Sequence, residues 1–234
     1  MERTEQTTPT HVIASKLKQL SENDTKKTKV VLISTGSYNP VHIMHVETFK
    51  ICKQQLEENH NMVVLGAFLS PSDDTYVQSK LGREFIHSTH RLNMCDLAVQ
   101  EAKLQDWLIV DKWESSLGSF VDFPAVHGSL ARYIAKQFPN DNIRVMYLCG
   151  TDHVLRCGGL YSLRKPSTGV VALRRPGSEL KSDQNLFVLN NTVYETDFSS
   201  TEIRKRIKNG QGFDDLAHTS VVGYLQQNCR EYLK

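Results

Sequence analysis

Strand-like and helix-like segments alternate along nearly all of this 234-residue chain, which predicts an α/β fold: a doubly wound, mostly parallel sheet with helices on both faces. Two further observations point the same way. Met62 to Leu69 is an unbroken apolar run with Val63, Val64 and Phe68, the pattern of a strand covered on both sides. Gly36, Trp113 and Gly150 each follow an inferred strand, so a parallel sheet would gather them along its carboxyl rim, where ligands bind at the point of strand-order reversal.

In order, residues 1–9 are polar and expected to be disordered. Val12, Ile13, Leu17 and Leu20 recur at helical spacing, so residues 10–21 predict an amphipathic helix that packs on the body or serves as a partner or targeting segment. Ser21 to Lys29 reads as a Lys-rich linker, which sets residues 1–28 apart as an N-terminal extension and 29–234 as the main domain. The β-branched run Val30, Val31, Leu32, Ile33 predicts a strand at 29–35. A helix follows to about Asn59, with Ile43, Val46, Phe49, Ile51, Cys52 and Leu56 on its apolar face. After the strand at 62–69, Ser70 to Lys80 reads as a polar loop and Arg83 to Ala102 as a helix. A third strand at 107–111 leads into a loop with Trp113-Glu114-Ser115. Pro124 opens a helix over 122–138, residues 143–149 form a fourth strand, and 170–173 and 186–189 two more. Helices at 200–209 and 220–228 close the chain.

A net charge of +2 with 23% charged residues gives no strong field toward nucleic acid or a membrane surface, and neither is expected as a partner. The five cysteines form no CxxC pair and are odd in number, which favours buried thiols in a reducing compartment over a disulfide framework or a zinc site. With no apolar run long enough to span a bilayer and no apolar leader, an intracellular protein is expected, cytoplasmic or nuclear, alone or as a homo-oligomer.

Gly36-Ser-Tyr-Asn-Pro-Val-His-Ile-Met-His45 carries the chemistry. A strand, a glycine turn and a helix start make a phosphate cradle, because unpaired N–H groups and the helix dipole favour an anion there. Glycine allows positive φ and close approach of a ligand. His42 and His45, three apart, would share one helix face as two protonatable donors. The bland alternative is an ordinary turn with two surface histidines. Neither GxxxxGK(S/T) nor GxGxxG after a strand occurs, so a nucleotide would be held by another device. Ser199-Ser200-Thr201-Glu202 offers one: a capping box opens a helix whose first turns carry Arg204, Lys205, Arg206 and Lys208, cations that the dipole disfavours and a bound anion would relieve. Arg204 could clamp that anion bidentately.

The first stretch resembles the (H/T)xGH signature of the nucleotidylyltransferase superfamily, with Met44 in the glycine position, in the form seen in eukaryotic nicotinamide mononucleotide adenylyltransferases. The second resembles that family's ISSTxIR motif, with Phe198 for isoleucine. Leu148-Cys149-Gly150-Thr151-Asp152 is similar to its LCGxD segment, Trp113-Glu114-Ser115 to its WES segment, and Arg175 falls where the family places a phosphate- or ribose-proximal arginine.

The resemblance spans about 29–228 and implies a Rossmann-like nucleotidylyltransferase domain. It implies adenylyl transfer from ATP to nicotinamide or nicotinate mononucleotide, giving NAD or deamido-NAD and pyrophosphate. It assigns ATP to Gly36, Ser37, Tyr38, His42, His45, Ser199, Ser200, Thr201 and Arg204, with His45, His42 and Arg204 catalytic. The mononucleotide falls to Ser37, Tyr38, Lys80, Trp113, Phe120, Gly150, Asp152, Leu160, Tyr161 and Arg175. Mg²⁺ would come with ATP, with no dedicated protein ligands. Phe120 and Tyr161 stand where the family stacks the pyridine on tryptophans, Phe123 replaces a threonine, and Lys80 is a displaced counterpart of a family lysine. With no fixed cation beyond Arg164 and Lys165 near Tyr161, both mononucleotides are expected as substrates. The alternatives are transfer to another phosphate acceptor, such as phosphopantetheine or a phosphorylated alcohol, and a chaperone-like protein that keeps the fold without turnover.

Overall fold

The computed structural model describes residues 5–191 and 198–233. Its sheet has strands β1 (Thr28–Gly36), β2 (Met62–Pro71), β3 (Leu108–Val110), β4 (Arg144–Gly150), β5 (Thr168–Leu173) and β6 (Leu186–Leu189). All pair in parallel, in the order β3-β2-β1-β4-β5-β6. The order reverses between β1 and β4, so the crevice expected of such a sheet opens beyond Gly36 and Gly150. The helices are α1 (His11–Lys18), α2 (Glu22–Thr25), α3 (Ile43–Asn59), α4 (Asp74–Leu81), α5 (Ser88–Glu101), α6 (Phe123–Gln137), α7 (Thr151–Arg156), α8 (Ser200–Lys208) and α9 (Thr219–Asn228).

Alternation along each strand divides the core in two. Val30 and Leu32 of β1, with Met146 and Leu148 of β4, pack under α3, α5, α8 and α9. Val31, Ile33, Val145 and Tyr147 face the opposite way, under α1 and α6. Every residue of β2 is buried, as its continuous apolar run predicts.

The N-terminal segment departs from expectation. Residues 5–9 are not loose: Thr8 donates to the buried carboxylate of Asp111 at 2.7 Å, Ser129 donates to Gln6 at 3.0 Å, and the Trp113 indole N–H donates to the Glu5 carbonyl at 3.2 Å. Residues 1–4 of that expected disorder lie outside the described residues. The amphipathic helix is α1, and it belongs to the domain core. Ile13 is fully buried, and a Cβ at Gly66 would come within 3.1 Å of Val12. The end of β3 presents an inward carboxylate that needs donors, and the polar segment supplies them.

The loop expected over 70–80 is a strand end followed by α4, whose cap Asp73 accepts from the Thr75 N–H at 2.9 Å. Only Val77 of that helix is buried, so no apolar period betrays it. The helix expected from Arg83 starts at Ser88, because Gly82–Glu84 form a 3₁₀ turn in which Gly82 has φ +56°.

Candidate active site

β1 delivers the chain to the crevice at Gly36. The positive φ that the sequence reading assigned to this glycine falls instead on Tyr38, at 44°. Gly36 serves close approach: the Tyr38 ring covers it, and a Cβ would come within 3.2 Å of that ring. His42 is not on the helix face with His45 but is the cap of α3, in an extended conformation (φ −125°, ψ 167°). The two rings nevertheless stack, with centroids 3.5 Å apart. The His42 backbone N–H donates to His45 Nδ1 at 3.0 Å, which leaves the His45 ring proton on Nε2 as a donor. Burial, then His42 and Arg175, holds the His45 pKa well below its ordinary value; burial, then Arg175, takes His42 to about 3. Before a phosphate arrives, burial therefore favours the neutral imidazole at both positions at neutral pH. Ser37 Oγ and His42 Nδ1 are buried polar atoms with no hydrogen-bond partner among the described residues, as expected where a polar ligand completes the set.

α8 closes the cradle from the far end of the chain. Its cap Ser199 accepts from the Glu202 N–H at 3.1 Å, while the Glu202 carboxylate turns to Arg206 at 3.2 Å, so half of the expected box forms. Ser200 donates to the Pro40 carbonyl at 2.7 Å. Arg204 donates to the Asn39 carbonyl at 3.0 Å, to Thr201 Oγ1 at 3.3 Å and to Glu84 at 2.6 Å. These bonds tie the Asn39–Pro40 turn, which follows β1, to a helix about 160 residues later.

Sequence reasoning missed Arg91. Its side chain is fully buried and donates to the carbonyls of Ser37 (2.8 Å), Ser72 (2.7 Å) and Ile86 (2.9 Å) and to Asp74 (2.7 Å). It staples the glycine turn to the end of β2. The signal was present: Arg91 is in helical register with Met94, Cys95 and Ala98, so a charge sits at a core position.

Beside the turn lies a cleft of about 490 Å³, lined by Thr35, Gly36, Ser37, Tyr76, Lys80, Glu114, Phe120, Phe123, Tyr147 and His153 among others. Phe120 is half exposed and stacks on Tyr76 with centroids 4.7 Å apart, and Lys80 Nζ lies 5.7 Å over the same tyrosine. Phe123 stacks on Tyr147 at 5.1 Å. Glu114 is 2% exposed and accepts from Ser70 at 2.8 Å; burial pushes its pKa up to about 7 against the pull of Ser70 and Ser72. A larger hollow of about 730 Å³ beside α1 and α3, lined by Lys16, Lys53 and Trp107, contains none of the motif residues.

A family model described as cytidylyltransferase-like matches residues 33–206, from within β1 to within α8. The chain belongs to the cytidylyltransferase-like family. Among its relatives is a nicotinamide/nicotinic acid mononucleotide adenylyltransferase of Arabidopsis thaliana, 29% identical over 88% of this chain and 91% of that protein. Another, nicotinamide/nicotinic acid mononucleotide adenylyltransferase 2 of Saccharomyces cerevisiae, is 24% identical over 94% of this chain and 59% of its own length. The fold matches Plasmodium falciparum nicotinic acid mononucleotide adenylyltransferase complexed with NaAD, with TM-score 0.63 and 13% identity over 88% of this chain and 98% of that one.

Within this family member, the residues assigned by motif fall into three groups. Gly36, Ser37, Tyr38, His42, His45, Ser199, Ser200, Thr201 and Arg204 meet around the first turn, and Lys80 and Phe120 line the adjacent cleft. Gly150, Asp152 and Arg175 form a second cluster at the end of β4. A Cβ on Gly150 would collide with Asp152 Oδ1 and come within 3.2 Å of Arg175, whose Nε lies 3.9 Å from Asp152.

Trp113, Leu160 and Tyr161 do not line the cleft. Trp113 is a core anchor, 6% exposed, and the next residue, Glu114, faces the cleft in its place. Leu160 is buried in a left-handed conformation (φ 55°). Tyr161 is 72% exposed, its ring lying over Gly159 with the Arg164 guanidinium 4.5 Å above its face. No helix among the described residues is long and apolar enough to cross a membrane.

Proposed function

We propose that this protein transfers the adenylyl group of ATP to nicotinamide mononucleotide or nicotinate mononucleotide, giving NAD or deamido-NAD and pyrophosphate. The observation that carries the reading is the meeting of His42 and His45 with the start of α8, through Ser200 to Pro40 and Arg204 to Asn39, at the strand-order reversal. The names of the relatives agree with it.

An oxygen of the mononucleotide's 5′-phosphate attacks the α-phosphorus of ATP. The bond from that phosphorus to the oxygen bridging toward the β-phosphate breaks, and pyrophosphate leaves with the electron pair. The attacking phosphate is already ionised, so catalysis is positioning and electrostatic stabilisation. The His45 Nε2–H donates to an α-phosphate oxygen, with His42 and the Ser37 hydroxyl alongside. The N–H groups that open α8, with Thr201 and Arg204, hold the departing β- and γ-phosphates. The Ser200 hydroxyl proton is committed to Pro40, so Ser200 braces the cradle and offers phosphate only its backbone N–H.

Mg²⁺ arriving on ATP would neutralise phosphate charge. Its ligands would be chiefly phosphate oxygens and water, since Mg²⁺ keeps much of its hydration and does not need a dedicated protein cage. The mononucleotide extends from Gly36 and Ser37 into the cleft, its pyridine against Phe120. Arg164, the cation that acid selectivity would call on, is paired with Asp183 and covers Tyr161. Both mononucleotides should therefore be used with kcat/KM within about tenfold, about 1.4 kcal/mol of discrimination.

A coupled assay of NAD formation from ATP and nicotinamide mononucleotide, repeated with the acid, tests the assignment. Turnover with both is expected; pyrophosphate release only with a different phosphate acceptor, or with none, would overturn it.

A further inference from the structure

Glu84 places a carboxylate against Arg204, the cation assigned to the triphosphate, and against Lys208 beside it. Its side chain pairs with Arg204 Nε at 2.6 Å and, through its other oxygen, with Lys208 Nζ. No motif contains it, and it lies outside every helix and strand, on the 3₁₀ turn Gly82–Glu84. Resting on the adenylyltransferase reading, we propose that Glu84 is a displaceable internal anion on the triphosphate clamp, exchanged for the terminal phosphates of ATP and returning as pyrophosphate leaves.

Three features support exchange over a fixed bracing role. First, the donors it occupies are those a polyphosphate needs. Arg204 already gives one N–H to Asn39 and one to Thr201, so with Nε taken by Glu84 a ligand meets a guanidinium with few donors left. Second, solvent reaches the carboxylate: the Glu84 side chain is 30% exposed and that of Lys208 50%, against 12% for Arg204, so water can take up the carboxylate when it turns out. Third, the backbone can stay where it is while the side chain turns out. Asn39 Nδ2 donates to the Glu84 carbonyl at 2.8 Å, and the Ile86 N–H donates to Asn39 Oδ1 at 2.8 Å, so the main chain is held independently of the carboxylate.

A negative charge at this point repels every phosphate ligand, and its removal frees two cations. It therefore sets a threshold: a ligand must bring more charge than the carboxylate it replaces. It also assists release of the product.

Titration calorimetry of the full chain with inorganic tripolyphosphate, without metal, reads this directly for wild type, Glu84→Gln and Arg204→Gln. Glu84→Gln keeps the shape of the side chain and should tighten tripolyphosphate binding roughly three- to tenfold, the scale of two partly exposed ion pairs. Pyrophosphate should become a correspondingly stronger product inhibitor. Unchanged or weaker binding in Glu84→Gln would overturn the proposal, since a residue that merely braces Arg204 can only weaken the site when removed. If circular dichroism shows Glu84→Gln to be misfolded, Glu84→Ala is read by the same criterion. Should Arg204→Gln bind tripolyphosphate as tightly as wild type, the triphosphate site itself is misplaced, a failure of the functional reading and not of Glu84 alone.

Discussion

The phosphate side and the pyridine side of the crevice are built in opposite ways. Around His42 and His45, atoms from the first turn, the end of β2, α5 and α8 are tied by directional bonds: Arg91 to three carbonyls, Ser200 to Pro40, Arg204 to Asn39. Around Phe120 the contacts are ring on ring, and the ring itself is half exposed. Displacing a bonded donor by an ångström forfeits most of its effect on a transition state. A stacking face tolerates replacement, because any aromatic offers one. The difference accounts for motif-like residues on the phosphate side and substituted ones, Phe120 and Phe123, on the other. It also orders the expected effects of mutation.

His45→Ala should be the most damaging, lowering kcat roughly 10²–10³-fold, the scale for removing one preorganised donor. ATP binding should change less, and His42→Ala should cost less than His45→Ala. Steady-state kinetics with both substrates varied checks this; equal, small losses in both histidine variants would place the α-phosphate elsewhere.

Arg204→Lys follows. A planar fork bridging Asn39, Thr201 and Glu84 cannot be replaced by a point charge, so kcat/KM for ATP should fall roughly ten- to hundredfold with unchanged folding. On the pyridine side, Phe120→Ala should raise KM for the mononucleotide about tenfold, within the roughly 1–3 kcal/mol of an aromatic stacking partner, and spare ATP. Tyr161→Ala should do much less, since its ring lies on Gly159, away from the cleft lining. A larger effect of Tyr161 than of Phe120 would reverse the placement of the pyridine.

The pH dependence of stability is a separate readout, and here the two sides have opposite signs. Burial lowers His42 from 6.5 to about 3, so below pH 6.5 the unfolded chain takes up a proton that the folded one refuses. Stability is lost as pH falls from 6.5 toward 3, by up to about 1.4 kcal/mol per pH unit. Glu114 is raised from 4.5 to about 7, so its contribution is full below 4.5 and is lost as pH rises through 7. Urea midpoints between about pH 4.5 and 7 read the two opposing slopes: relative to wild type, the midpoint should climb less steeply with pH in His42→Gln and more steeply in Glu114→Gln.

How much could be read from sequence follows the same division. Alternating strands and helices gave the parallel sheet, and the two phosphate stretches are contiguous, with glycine, histidine, serine and arginine at fixed offsets. What escaped is tertiary. Glu114, one residue past the tryptophan that the motif singles out, faces the cleft because Trp113 is held inward by Glu5 and the core. α4 has too few buried positions to leave a period. Glu84 meets Arg204 across 120 residues, a pairing that no local pattern encodes. The N-terminal residues look disordered because their order comes from Asp111, which lies 103 positions from Thr8. Arg91 alone was legible in principle, as a charge in core register.

A double-mutant cycle in kcat/KM between His45→Ala and Arg204→Ala tests most directly whether two distant stretches form one phosphate cradle. If both act on the charge that moves from the α-phosphate to departing pyrophosphate, their losses should fall short of additivity by about 1 kcal/mol or more. Additivity within about 0.5 kcal/mol would mean that the β1–α3 turn and α8 serve separate sites, and would contradict the single cradle.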